Sequence, residues 1–130
     1  MANPNIVAVT SIYAGNASWN LSNTLDATLW TVSADVIVKV NTILCANVDG
    51  TNAALLNLFI SGVGTTVTGV TGTSLATIIY LAKTVNVPAD DMLVVIDKPI
   101  YLMEYDNIEA GASATTGDIF VSFEVINDAA

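Results

Sequence analysis

Histidine and arginine are both absent from the 130-residue sequence, and its only basic side chains are Lys39, Lys83 and Lys98. Without histidine the chain cannot form a Ser-His-Asp or Cys-His arrangement for nucleophilic catalysis. Without arginine it cannot form a bidentate clamp for an anionic substrate. We therefore predict that the protein is not an enzyme.

The scarcity of positive charge also limits the partners that the chain can bind. Twelve acidic residues against three lysines give a formal net charge of −9. Proteins bind nucleic acids largely by neutralising phosphates with cationic side chains, and anionic membrane surfaces make the same demand. We expect neither nucleic acid nor membrane as a direct partner. The acidic excess suits solubility or a basic patch on a partner protein.

Cysteine is almost absent, since Cys45 is the only one. An intrachain disulfide is therefore impossible, and the apolar neighbours of Cys45 indicate a small buried hydrophobe. No basic segment is followed by a long apolar run, so we expect neither a secretory signal nor a transmembrane helix. The length predicts one domain over residues 1–130.

What the sequence does have is apolar and β-branched. Hydrophobic residues make up 53% of the chain and charged residues 12%, about half the usual charged share. Valine, isoleucine and threonine are abundant, and they fit a pleated surface. A single domain of this size cannot hide so much apolar surface by itself. We therefore expect part of it to be buried against other subunits.

Short β-branched segments and turn signals alternate along the chain roughly every 8–12 residues, and about eight to ten strands are predicted. This pattern predicts an all-β fold, an antiparallel β-sandwich with the jelly roll as a candidate topology. We expect a first strand over residues 6–13, a loop over 16–23 carrying Trp19 and Leu21, and a strand over 75–82. In the strand predicted over 35–47 we assign one alternating set to the core: Val36, Val38, Val40, Thr42 and Leu44.

Two loops resemble ligand-binding motifs and fail in detail. The glycine-rich stretch 62–69 has the spacing of a phosphate loop, but Val70 stands where lysine is required, and Val67 replaces the third glycine of the dinucleotide pattern. Residues 47–50 resemble part of a calcium loop, but Cys45 and Leu56 occupy its first and last ligand positions. We interpret both as turns and predict neither cofactor nor metal.

The two tryptophans leave an alternative open. Trp19 and Trp30 could serve as stacking platforms for a sugar, which would make the chain a carbohydrate-binding module. Core or interface anchors are the commoner use of tryptophan, and we favour that interpretation.

Four stretches resemble the small virion structural proteins of tailed bacteriophages. They are NPNIV (residues 3–7) leading to SIY (11–13), ANVDGTNAA (46–54), VPA (87–89) running into LVVIDKPIYL (93–102), and the terminal β-strand. The resemblance leads us to expect Glu-Gly-Asp after the Tyr-Leu strand, whereas this chain has Glu104, Tyr105 and Asp106, so its turn lacks that glycine.

The resemblance implies a β-sandwich on the capsid surface of the virion, made in the host cytoplasm and acting as a capsid decoration (cement) protein. The implied partners are the major capsid protein and copies of the chain itself, as a homodimer or homotrimer. A tail or neck component of the virion stays open as an alternative. Candidate subunit contacts, chosen for exposure and apolarity, are Pro4, Ile6, Val7, Trp19, Leu21, Val63, Val67 and Val70.

Overall fold

Nine β-strands make up the regular structure of the chain in a computed structural model, which describes residues 9–21 and 27–127. The strands are β1 (Ser11–Asn20), β2 (Ala27–Thr31), β3 (Val36–Asn47), β4 (Ala54–Ser61), β5 (Ile79–Val87), β6 (Met92–Ile96), β7 (Ile100–Leu102), β8 (Asn107–Ala112) and β9 (Gly117–Asn127). The described residues contain no helix able to cross a bilayer.

The strands form two antiparallel sheets. Sheet I has the order β1-β9-β3-β6, with β7 also paired to β3, and sheet II has the order β2-β8-β4-β5. β6 pairs with the second half of β3 and β7 with its first half, so together they act as one interrupted strand. The prediction of an all-β antiparallel sandwich is confirmed.

The pairing scheme identifies the topology. With β6 and β7 counted together, the first strand pairs with the last, the second with the second-last, and so on inward to β4 with β5. This is a long hairpin folded over so that successive pairs fall in opposite sheets, which is a jelly roll. The candidate topology is therefore the observed one.

The core lies between the sheets and is built by alternation. Ile119 and Val121 of β9 face inward and pack with Leu58 of β4 and Ile108 of β8. Full burial of such a side chain contributes roughly 1.5–3 kcal/mol. Cys45 lies in the same core, as predicted, and burial raises the pKa of its thiol to about 12.

A β-bulge at Asn41 reverses the predicted faces of β3. Its neighbours Val40 and Thr42 pair with consecutive residues of β9, so Asn41 is the extra residue. Val38 and Val40 face the core as predicted, but beyond the bulge Ile43 and Cys45 take the core positions. The assignment of Thr42 and Leu44 to the core was therefore wrong, because one extra residue moves every later side chain to the other face.

The first strand also differs from prediction. The loop expected over residues 16–23 is mostly strand, because β1 pairs with β9 without interruption from Ser11 to Asn20. Gly15, Ala17 and Trp19 face sheet II, and the polar residues between them lie on the outer face. Residues 6–8 of the strand predicted over 6–13 lie outside the described residues.

The strand predicted over residues 75–82 begins later, at Ile79, and continues to Val87. The residues before it belong to a long connection from β4 that folds back on itself, with a bridge between Thr66 and Thr73. Main-chain bonds from Gly64 to Leu75 (2.9 Å) and from Ser74 to Thr65 (2.7 Å) close this hairpin.

Candidate subunit interface

The outer face of sheet I carries an apolar strip near one end of the sandwich. Two rows cross the sheet from edge to edge: Ser18, Phe120, Leu44 and Val94 in one, and Asn20, Asp118, Ala46 and Met92 in the next. We call Leu44, Ala46, Met92, Val94 and Phe120 the outer strip. Met92 is 53% exposed, Val94 46% and Phe120 37%.

The register explains why these side chains point outward. Phe120 lies between Ile119 and Val121, which are buried, so alternation turns it away from the core. Leu44 is placed beside it by the Asn41 bulge. Sequence reasoning missed the strip, although Phe120 gives a signal, since it is a large apolar residue on the otherwise mostly polar face of β9, between Asp118 and Ser122.

A shallow groove of about 230 Å³ runs along the strip, lined by residues of β1, β3 and β9 that include Ser18, Leu44 and Phe120. At its margin the side-chain amide of Asn20 donates a hydrogen bond to the carboxylate of Asp118. The row next to the strip is polar, because it contains Thr42 and Ser122.

Carboxylates surround the end of the sandwich nearest the strip. Asp49 accepts hydrogen bonds at Oδ1 from the backbone N–H groups of Thr51 (2.8 Å) and Asn52 (3.0 Å), and these bonds lower the pKa of its carboxyl group. Asp90 and Asp91 lie in the adjacent β5–β6 turn, where the N–H of Asp90 bonds to the carbonyl of Asp49 (3.0 Å). The strip is therefore an apolar patch with an acidic margin.

Asn47 ties the loops at this end together. It is buried, and Nδ2 donates to the carbonyls of Asn52 (2.9 Å) and Val87 (3.1 Å). Its Oδ1 accepts from the N–H of Asp49 (3.1 Å) and from Oγ1 of Thr116 (2.9 Å). The stretch that resembled a calcium loop is thus a hydrogen-bonded turn. Among the described residues no three His, Cys, Asp or Glu side chains are grouped to hold a metal ion.

The predicted contact residues do not form one surface. Pro4, Ile6 and Val7 lie outside the described residues. Leu21 is buried in the core, where it packs beside Gly117, so its side chain is not free to touch another subunit. Trp19 is half-buried against the core and belongs to β1 rather than to a loop.

The three valines of the glycine-rich loop lie at the opposite end of the sandwich from Trp19. Val63 is 62% exposed and Val70 is 66% exposed, while Val67 is half-buried. The ten-residue strand β1 alone spans about 30 Å, so this hairpin and the outer strip could not contact one small site.

Trp30 is half-buried and packs against the core. Its ring packs against Phe123 with centroids 5.6 Å apart and planes tilted by 55°. Both rings line a cleft of about 220 Å³ between the sheets, together with Val36, Val38 and Val125.

The turn over residues 103–106 contains a residue in the left-handed region. Tyr105, which stands where the sequence resemblance led us to expect glycine, has φ = 67°. Its N–H bonds to the carbonyl of Val32 (2.8 Å), and the N–H of Met103 bonds to Oδ2 of Asp106 (2.8 Å). Asp106 is buried beside Gly62, and burial raises the pKa of its carboxyl group.

Comparison with known proteins gives only distant structural likeness. No family model and no curated protein matches the chain. Similar solved structures include the infectious bursal disease virus VP2 subviral particle (12% identity, TM-score 0.45, 91% of this chain and 33% of that chain). Another is the structure of the Gx strain of infectious bursal disease virus (12% identity, TM-score 0.41, covering 91% of this chain and 37% of that chain). The chain spans about a third of the length of these solved chains, and nothing about function follows from likeness at this level.

Proposed function

We propose that the chain is a non-enzymatic structural subunit of a virus particle. The observation that carries this proposal is the outer strip, an apolar patch on a rigid sheet in a chain without histidine or arginine. Exposed contiguous apolar patches of this kind mark protein–protein interfaces. The jelly roll is compatible with this role, since capsid domains use it, although lectins and cupins use it as well.

The chemistry of the strip defines the partner that it suits. Its centre offers Phe120, Leu44 and Val94, and apolar area removed from water there contributes roughly 25 cal/mol per Å² before the costs of association. Its margin offers Asp118 and the nearby carboxylates Asp90 and Asp91. The complementary surface is therefore a protein patch with an apolar centre and basic side chains around it.

The finer proposal is a capsid decoration protein on the head of a tailed bacteriophage. It is supported by the sequence resemblance at residues 3–13, 46–54 and 87–102 and by the expected apolar contact surface. Copies would bind the major capsid protein across junctions of its lattice. Each contact can be modest, because many tethered contacts add up to high avidity.

The number of copies per particle tests the assignment to the head. We would fractionate particles on a density gradient and count this chain by mass spectrometry against the major capsid protein. Hundreds of copies in a simple ratio to capsid subunits support decoration. A handful per particle would assign the chain to the tail or neck, and absence from particles would refute the virion role altogether.

A pair of variants tests the contact surface itself. Phe120→Asp places a charge in the strip, and Ser122→Asp places the same charge on the same face two residues away. We expect Phe120→Asp to weaken binding to stripped particles by roughly 10- to 100-fold, since burying such a side chain is worth roughly 1.5–3 kcal/mol. Ser122→Asp should bind within about twofold of wild type.

The thermal midpoint of both variants must be measured, so that a loss of fold is not mistaken for a loss of contact. If Phe120→Asp stays folded and binds like Ser122→Asp, the outer strip is not the capsid-binding surface. Deleting residues 1–12 tests the other predicted contact, made by Pro4, Ile6 and Val7. Unchanged capsid binding would show that this contact does not exist.

A further inference from the structure

The sandwich has four sheet edges among the described strands, and three of them are protected against pairing with another chain. β5 carries Lys83 and a left-handed residue, Thr84 (φ = 52°). β2 has five residues and a register shift between Thr28 and Trp30. The β6–β7 edge is short and interrupted by residues 97–99, which include Lys98 and Pro99. Charge, irregularity and shortness are the usual defences of an edge strand.

β1 has none of these defences. It is ten residues long, contains no charged residue and no proline, and pairs with β9 in an unbroken register. Ile12 and Tyr13 on this strand are 58% and 62% exposed. A long, regular and uncharged edge is a template for another β-strand.

The free hydrogen-bonding groups of this edge can be assigned. The N–H of Leu21 bonds to the carbonyl of Gly117 (2.7 Å), which continues the register of β1 with β9. Because bonding alternates along an antiparallel pair, the odd-numbered residues of β1 bond to β9. The even-numbered residues direct their N–H and C=O groups away from β9: Ile12, Ala14, Asn16, Ser18 and Asn20.

We propose that β1 pairs antiparallel with β1 of a second copy about a two-fold axis at Asn16, joining the two copies of sheet I into one sheet. The bonded pairs are then Asn16 with the partner's Asn16 and Ala14 with the partner's Ser18. This register sets the exposed Tyr13 opposite the partner's Trp19, in the closely spaced, non-bonded position where aromatic pairs stabilise sheets.

Charge favours a second copy as the occupant. Two chains of net charge −9 repel each other wherever carboxylates face carboxylates. Ser11–Asn20 contains no charge, so two copies can meet along it without opposing charged side chains. An antiparallel strand also complements itself about a two-fold axis. This edge is distinct from the outer strip, so the dimer does not depend on the proposed capsid contact.

Disulfide trapping tests the register. In a bonded antiparallel pair the Cα atoms lie about 5.5 Å apart, which suits a disulfide, so Asn16→Cys should form a covalent dimer of the full chain under mild oxidation. Ser18→Cys is the matched control on the same edge. Its sulfur would lie roughly 13 Å from the equivalent sulfur of the second copy, so this variant should stay unlinked. The native Cys45 is buried and contributes no background.

Sedimentation of unmodified chains tests the pairing independently. Wild type should sediment at twice the 13.5 kDa mass of one chain. Ala14→Pro removes an N–H directed away from β9, so it should give folded monomers, whereas Ala14→Ser should stay dimeric. A monomeric wild type, a species larger than a dimer, or equal cross-linking of Asn16→Cys and Ser18→Cys would overturn the proposal.

Discussion

Replacing Asn47 should destabilise the protein, because its one buried side-chain amide holds three connections between strands together. Its four shortest bonds reach Asn52 and Asp49 in the β3–β4 loop, Val87 at the end of β5 and Thr116 before β9. Each of these bonds contributes about 1 kcal/mol to stability. Because exposed loop groups can bond to water once the amide is gone, we expect Asn47→Ala to lower the free energy of unfolding by about 3 kcal/mol.

Asn47→Asp sharpens the test, because it keeps the shape of the side chain and removes the donor. At pH 7 a carboxylate oxygen would face the carbonyls of Asn52 and Val87, where Nδ2 now donates. We expect this variant to be at least as unstable as Asn47→Ala at pH 7 and to recover partly when acid protonates the introduced carboxyl group.

Urea unfolding followed by tryptophan fluorescence measures the effect. With a slope of roughly 1–3 kcal/mol per M, a loss of about 3 kcal/mol moves the midpoint by one molar or more. Asn86→Ala, an exposed asparagine on β5, is the control and should change stability by less than about 0.5 kcal/mol. All variants are compared at one protein concentration, since self-association would add to apparent stability. If Asn47→Ala lost no more stability than Asn86→Ala, the conclusion that Asn47 holds these loops together would be refuted.

Two further variants probe the turn over residues 103–106. Tyr105→Gly should stabilise the fold by about 1 kcal/mol in thermal unfolding, because a left-handed conformation strains tyrosine and not glycine, whereas Tyr101→Gly in strand β7 should destabilise it. Asp106→Asn should change the pH dependence of stability. The raised pKa of Asp106 means that the folded state favours its protonated form. The contribution of this group to the stability of the fold is therefore fully present below its unfolded pKa of about 3.9 and is lost as pH rises through the higher folded value. The stability of Asp106→Asn relative to wild type should therefore grow from pH 4 to pH 7. A difference in stability that stayed constant with pH would contradict a raised pKa for Asp106.

The alternation of side chains could be predicted wherever one strand keeps one register. The burial of Cys45 followed from its apolar neighbours in the sequence. In β3 the same reasoning was correct as far as Val40 and then wrong for Leu44, because nothing local marks Asn41 as the extra residue. A bulge is set by the strands on either side, and β9 lies some 75 residues further along the chain.

The candidate interface was predicted least well, for a related reason. Val63 and Val70 were recognised as exposed from their glycine-rich surroundings, whereas Leu21 was misassigned because it follows a polar segment. The outer strip draws on β3, β6 and β9, which are distant in sequence and adjacent only through pairing. No local pattern can report such an adjacency.

The sequence by itself determined the class of the protein. Abundant β-branched residues and regular turns specify short strands, and the absence of histidine and arginine excludes a Ser-His-Asp triad and a bidentate arginine clamp. Tertiary structure alone decided which strands are neighbours, where the bulge falls, which apolar side chains are left outside and which sheet edge stays unprotected. These features depend on pairing between distant segments, where burial and register are shared by several strands and are not a property of any one of them.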